Sequence, residues 1–184
     1  VSASARCPYR GKPCDARAGV GGGGGVPVEA LERTPRGLAS RDVRNIFLTG
    51  GEPMYRADEL PALMKATAAE VDAFWLVSTG WHMDRAVLEP LLLHKLKGVV
   101  ISLDGRTEER VNRIKGHRDA FSNAVSAIRA AGELGLLVSV DCTVDVQMLV
   151  EDEFFAYVAF PRAPGADVVT FFPPHALGGA EAYD

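Results

Sequence analysis

Cysteine is scarce in this chain, with three residues in 184. Cys7, Cys14 and Cys142 are too few and too unevenly placed for a disulfide scaffold, so metal binding and plain burial are the roles left to weigh. No run approaches the roughly 18 uninterrupted apolar residues of a membrane span, and no basic stretch followed by an apolar core opens the sequence. The expected location is the cytoplasm. Charge of one sign is also lacking: 20 basic against 24 acidic residues leave a net −4, which argues against nucleic acid or an anionic membrane as the main partner. The first residue is Val1, not Met, which leaves open that the stretch belongs to a longer chain.

What is present is the patterning of a folded α/β protein. With 47% apolar residues, the chain suits one domain with a real core, residues 1–184. Short β-branched or aromatic runs at Asn45 to Thr49, Ala73 to Thr79, Gly98 to Leu103, Leu136 to Val144 and Asp167 to Phe172 read as strands, and Val1 to Arg6 as a further candidate. Between them, Asp58 is placed to cap a helix carrying Leu60, Leu63, Met64 and Thr67, and Asp84 one carrying Val87, Leu88, Leu91 and Leu92. A third helix from Ala120 to Leu134 puts Phe121, Ala124, Val125, Ile128 and Ala131 on one stripe, with Gly135 as its stop. Such alternation predicts right-handed crossovers and a parallel sheet, with ligands at the strand C-terminal ends. Periodicity alone leaves an open doubly wound sheet and an incomplete barrel equally open. Residues 19–40, with glycine unbroken from Gly21 to Gly25, read as a flexible Gly/Pro-rich segment and not as a phosphate cradle; a short helix, Val28 to Arg33, is the most its sequence offers.

The chemistry-bearing residues follow the strands. Leu48-Thr49-Gly50-Gly51-Glu52-Pro53 ends the second strand in a turn where two glycines allow close backbone approach and a proline stiffens the exit. Val77-Ser78-Thr79-Gly80 ends the third, and Ile101-Ser102-Leu103-Asp104-Gly105 the fourth, followed by Arg113-Ile114-Lys115-Gly116 and Ala120-Phe121. In that order and at that spacing, from Cys7 to about Pro173, the chain resembles the radical S-adenosylmethionine (SAM) family, and within it the peptide-modifying and cofactor-maturing enzymes.

The resemblance implies a partial (β/α)6 barrel with parallel strands, and a [4Fe–4S] cluster in the loop after the first strand, on a Cys-x-x-x-Cys-x-x-Cys motif. Here the loop reads Cys7-Pro8-Tyr9-Arg10-Gly11-Lys12-Pro13-Cys14: the outer thiols are kept, and Gly11 and Pro13 stand where the family has cysteine and, often, an aromatic residue. Cys7 and Cys14 are the implied metal ligands, with Asp15, solvent, another chain or a small thiol open as the third. It further implies SAM contacts at Gly50, Gly51, Glu52 and Pro53 for the amino group, Ser102 for the ribose or methionine end, Lys115 for the carboxylate and Phe172 for the adenine pocket. The implied activity is reductive cleavage of SAM to a 5′-deoxyadenosyl radical, with an external electron donor and a peptide or small metabolite as substrate. Thr79 stands where the family often continues with Asn, and this chain continues with Gly80. Two alternatives remain at this stage: a degenerate barrel that binds SAM or a partner without catalysis, and a zinc site built from Cys7, Cys14 and two of His82, His94, His117 and His175. Cys142, in the fifth strand, is expected in the core.

Overall fold

The structure is a computed structural model and describes residues 1–11, 14, 27–150 and 153–173. Six strands form one sheet in chain order: β1 (Ser2–Ser4), β2 (Asn45–Gly50), β3 (Ala73–Ser78), β4 (Leu96–Ser102), β5 (Leu137–Thr143) and β6 (Val168–Phe172). Every neighbouring pair is parallel. The crossovers carry helices α1 (Val28–Ala39), α2 (Leu60–Thr67), α3 (Arg85–Leu92), α4 (Glu108–Lys115), α5 (Ala120–Glu133), α6 (Val146–Val150) and α7 (Glu153–Ala159). This is the α/β partial-barrel architecture.

Strand periodicity explains where the core sits. Ile46, Leu48, Phe74, Leu76, Val99, Ile101, Val138, Val140 and Cys142 occupy alternate positions of four neighbouring strands and are essentially closed to solvent. They belong to the same packed cluster as Leu60, Leu63 and Met64 of α2, Leu88 and Leu91 of α3, Val111 of α4, and Ala124, Ala127, Ile128 and Ala131 of α5. The intervening strand residues line the other face. There Phe47, Trp75, Gly98 and Leu137 are neighbours in register, Phe47 stacks on Trp75 at 5.5 Å, and a Cβ at Gly98 would meet the Trp75 ring at 2.2 Å. The glycine is what lets an indole lie flat across the sheet.

Helix ends follow local chemistry, with two departures from expectation. Asp84 Oδ1 accepts the Val87 N–H at 3.0 Å as expected, but α2 is preceded by Glu59, without a side-chain cap, and Asp58 stands one residue too early. α1 runs through Ala39, well beyond Arg33, so the segment expected to be flexible is helical from 28 to 39; residues 19–26 lie outside the described residues. Leu31 and Ala39 are buried on α1, while the apolar spacing around Pro35 is too sparse to have announced a 12-residue helix. No helix among the described residues is long and apolar enough to cross a membrane.

Candidate functional site

The C-terminal ends of five strands surround a cavity of about 180 Å3, lined by Cys7, Tyr9, Gly11, Cys14, Gly51, Thr79, Ser102, Lys115 and Thr143. It brings together both expected metal ligands and three of the expected SAM contacts. A larger hollow, of about 530 Å3, lies at the other end of the sheet among Arg129, Glu133, Leu137 and Asp167, and contains no thiol.

The glycine-rich turn is built to hold β1. Gly50 adopts φ +142°, and a Cβ there would meet the Ser4 carbonyl oxygen at 2.2 Å. Past it, the Gly51 N–H donates to Ser4 O at 2.6 Å and the Glu52 N–H to Arg6 O at 2.7 Å, so the turn carries the chain directly into Cys7. Pro53 then starts a single 3-10 turn, Pro53–Arg56.

Glu52 is 0% exposed and its carboxylate is spent on the protein. Oε1 accepts from Ser78 Oγ at 2.8 Å and Met54 N at 3.1 Å; Oε2 accepts from Thr79 Oγ1 at 2.6 Å and Thr79 N at 2.9 Å. Burial pushes its carboxyl above the usual glutamate range, against the pull of these donors. The Glu52 side chain, expected with the turn's backbone to hold a ligand amino group, clamps the ends of β2 and β3 together. Gly80 follows because α5 passes there: a Cβ would meet Ala124 Cα and Asn123 O at 2.9 Å.

A second cluster of polar groups closes the β4 side. Lys115, at the last position of α4, places Nζ 2.6 Å from Ser102 Oγ and 2.6 Å from Asp104 Oδ2, while Asp104 Oδ1 accepts the Thr143 N–H at 2.8 Å. Asp104 therefore anchors the lysine, a role beyond the turn-forming one its place before Gly105 suggests. α4 itself stops at Gly116 in the left-handed region, φ 62°, where a Cβ would meet Arg10 O at 2.9 Å. The Arg10 N–H donates to Lys115 O at 3.0 Å. The Arg113-Ile114-Lys115-Gly116 motif is thus the seat on which the cysteine loop rests.

Within that loop, burial raises the Cys7 thiol above its ordinary range. The Cys14 N–H donates to Gly11 O at 3.3 Å, and among the described residues a Cβ at Gly11 would meet Cys14 Cβ and Ile114 O, both at the ordinary contact distance of 3.9 Å. The residues present thus offer two thiols and room for a third at one cavity wall, which fits an iron–sulfur cluster in two of its three protein bonds. Lys12, Pro13 and Asp15 lie outside the described residues. Cys142 is 0% exposed, on the opposite side of β5 from Thr143; its sulfur lies 4.0 Å from Met148 Sδ, and burial pushes its thiol up to about 12. It is a core residue, as expected.

Phe172 is neighbour in register to Thr143, yet it is 40% exposed and not among the cavity-lining residues; Phe171 packs on Phe154 at 4.8 Å. Among the described residues, Phe172, expected at an adenine pocket, stands off the cavity. The zinc reading finds no ligand group: His82 meets its neighbour Trp81 edge-on, His117 lies on Tyr9, His175 is outside the described residues, and among the described residues no three His, Cys, Asp or Glu side chains group as metal ligands.

Residues 1–158 match the radical SAM superfamily. The chain is 32% identical over 145 residues to molybdenum cofactor biosynthesis protein 1 of Drosophila melanogaster, covering 78% of this chain and 25% of that protein. It is 29% identical over 144 residues to a PqqA peptide cyclase of Granulibacter bethesdensis, covering 77% and 37%, and 27% identical over 164 residues to a GTP 3′,8-cyclase of Paracoccus denitrificans, covering 86% and 47%. The chain thus spans less than half the length of these curated relatives. Among solved structures it resembles SAM-bound SuiB of Streptococcus suis, with a TM-score of 0.79 at 16% identity over 97% of this chain and 41% of that one. Methylornithine synthase PylB gives a TM-score of 0.76 at 15% identity over 97% and 53%.

Proposed function

Since this chain belongs to the radical SAM superfamily, whose cofactors are a [4Fe–4S] cluster and SAM, we propose that residues 1–184 act as one core domain that binds both at the barrel mouth. The observation that carries this reading is the single cavity shared by Cys7, Cys14, Gly51, Ser102 and Lys115. Cys7 and Cys14 supply two thiolates and a ligand other than cysteine completes the protein bonds at Gly11. When bound and reduced by an external electron donor, the cluster supplies the electron that cleaves SAM to methionine and a 5′-deoxyadenosyl radical.

The chain's own residues bind and orient SAM. The N–H groups of Gly51 and Glu52 are already spent on β1, so the turn has acceptors to offer, which suits an amino group. Lys115 Nζ donates to Ser102 Oγ and is ion-paired with Asp104 Oδ2, and an ammonium has three donors, so it has donors left for the SAM carboxylate. Ser102 accepts from Lys115 and keeps its own hydroxyl proton to donate to the ligand. Thr79 and Thr143 close the wall. The substrate is a peptide or a small metabolite, the two classes covered by the names of the relatives, and the work is done in the cytoplasm.

Iron and acid-labile sulfide after anaerobic reconstitution test the reading. About four irons per chain, with SAM binding by calorimetry, is the expected result, and Gly11→Cys should raise retention of the cluster on dilution. SAM binding without iron, in both the wild type and Gly11→Cys, would favour a second reading that Gly11 itself suggests: a barrel that binds SAM or a partner and generates no radical.

A further inference from the structure

One buried group at the cavity wall belongs neither to the cysteine motif nor to the glycine-rich turn. Tyr9, two residues after Cys7, is 3% exposed and lines the cavity. Its hydroxyl oxygen accepts from Asn123 Nδ2 of α5 at 2.9 Å. The bond joins the cysteine loop to a helix 114 positions away in the chain. The ring itself leans on His117, 4.8 Å between centroids, so packing and hydrogen bonding act on separate parts of the same side chain.

We propose that Tyr9 is the positioning residue of the cysteine loop: its hydroxyl, held by Asn123, and its ring, against His117, fix where the Cys7 thiol stands relative to the strand ends that carry Gly51 and Ser102. The loop needs such a tie because β1, which feeds it, pairs with β2 over only three residues with a shifted register. Arg10 holds the loop to α4 from one side; Tyr9 holds it to α5 from the other. What that position means for a cluster and SAM rests on the reading above, but the tie itself does not.

Its test therefore uses the thiols directly. The wild-type chain and Tyr9→Phe, which keeps the ring and deletes the bridge, are treated with iodoacetamide and modification is mapped at Cys7, Cys14 and Cys142. Losing a hydrogen bond that joins rigid elements should open the loop more often, so that Cys7 reacts about tenfold faster. Cys142, deep in the core, should keep its rate. Asn123→Ala should give a similar gain, and the double variant should react no faster than either single one, because both changes remove the same bond. An unchanged Cys7 rate, or equal acceleration at Cys7 and Cys142, would overturn the proposal, the second by showing that the variant only loosens the whole fold. Failure of the functional reading looks different: the wild type then takes up neither iron nor SAM, while the alkylation pattern stands.

Discussion

Glu52 collects four hydrogen bonds from two strand ends inside a site closed to water, and such a carboxylate is costly to remove. Glu52→Ala should lower the unfolding free energy by about 3 kcal/mol or more, read from urea unfolding, because Ser78 and Thr79 are left with buried unpaired donors. Glu52→Gln should fall between the two, since its amide nitrogen would face donors. Tyr9 makes a pH prediction. Burial raises its hydroxyl from 10.0 to about 12. A raised value means that the folded state holds the proton longer than the unfolded one, so the stabilisation is complete below pH 10 and lost as pH climbs through 12. The stability difference between wild type and Tyr9→Phe should shrink over that window in unfolding curves taken at several pH values. At this scale, sequence reading names Cys7, Cys14, Gly51, Ser102 and Lys115, which the fold brings to one cavity because each sits in a local motif at a strand end. It does not pair Tyr9 with Asn123, which meet only after folding across more than a hundred positions, and Phe172 stands off the cavity, because an aromatic residue at a strand end carries no mark of which surface it will finish on.

The strands were legible as elements, since parallel strands buried on one face by helices read as compact β-branched and aromatic runs, and α5 was legible from the stripe of Phe121, Ala124, Val125, Ile128 and Ala131, of which Ala124, Ile128 and Ala131 are buried. α4 was not. It is short and strongly polar, and its stability comes from its ends: Thr107 Oγ1 accepts the Arg110 N–H, Glu108 and Glu109 sit in the first turn, and Gly116 closes it. Thr107→Ala should cost about 1 kcal/mol in thermal or denaturant unfolding. α6 and α7 were hidden for another reason, being one or two turns each, held by Met148 and Tyr157 against the core, with the Tyr157 hydroxyl donating to Leu103 O. Gly50→Ala probes the junction of elements. Forced into φ +142° and against Ser4, the methyl should cost about 2 kcal/mol or more and free β1 from the sheet, seen as lost amide protection in residues 2–4.

For the molecule as a whole, the chain-order sheet gives every strand a neighbour that precedes or follows it in sequence. Charge and composition argued against a nucleic-acid or anionic-membrane partner but did not decide between an open sheet and a barrel; the family resemblance carried by the ordered strand-end motifs did. The asymmetry lies in the connections: the one between β1 and β2, from Ser4 to Asn45, is the longest between consecutive strands. β1 is also the shortest strand of the sheet and lies at its edge with a shifted register, so it is the strand expected to open most readily. Cys7 and Tyr9 follow it directly, and opening of Ser2–Ser4 would carry that wall of the cavity with it. A ligand that binds only the closed site would therefore hold the edge strand down by mass action.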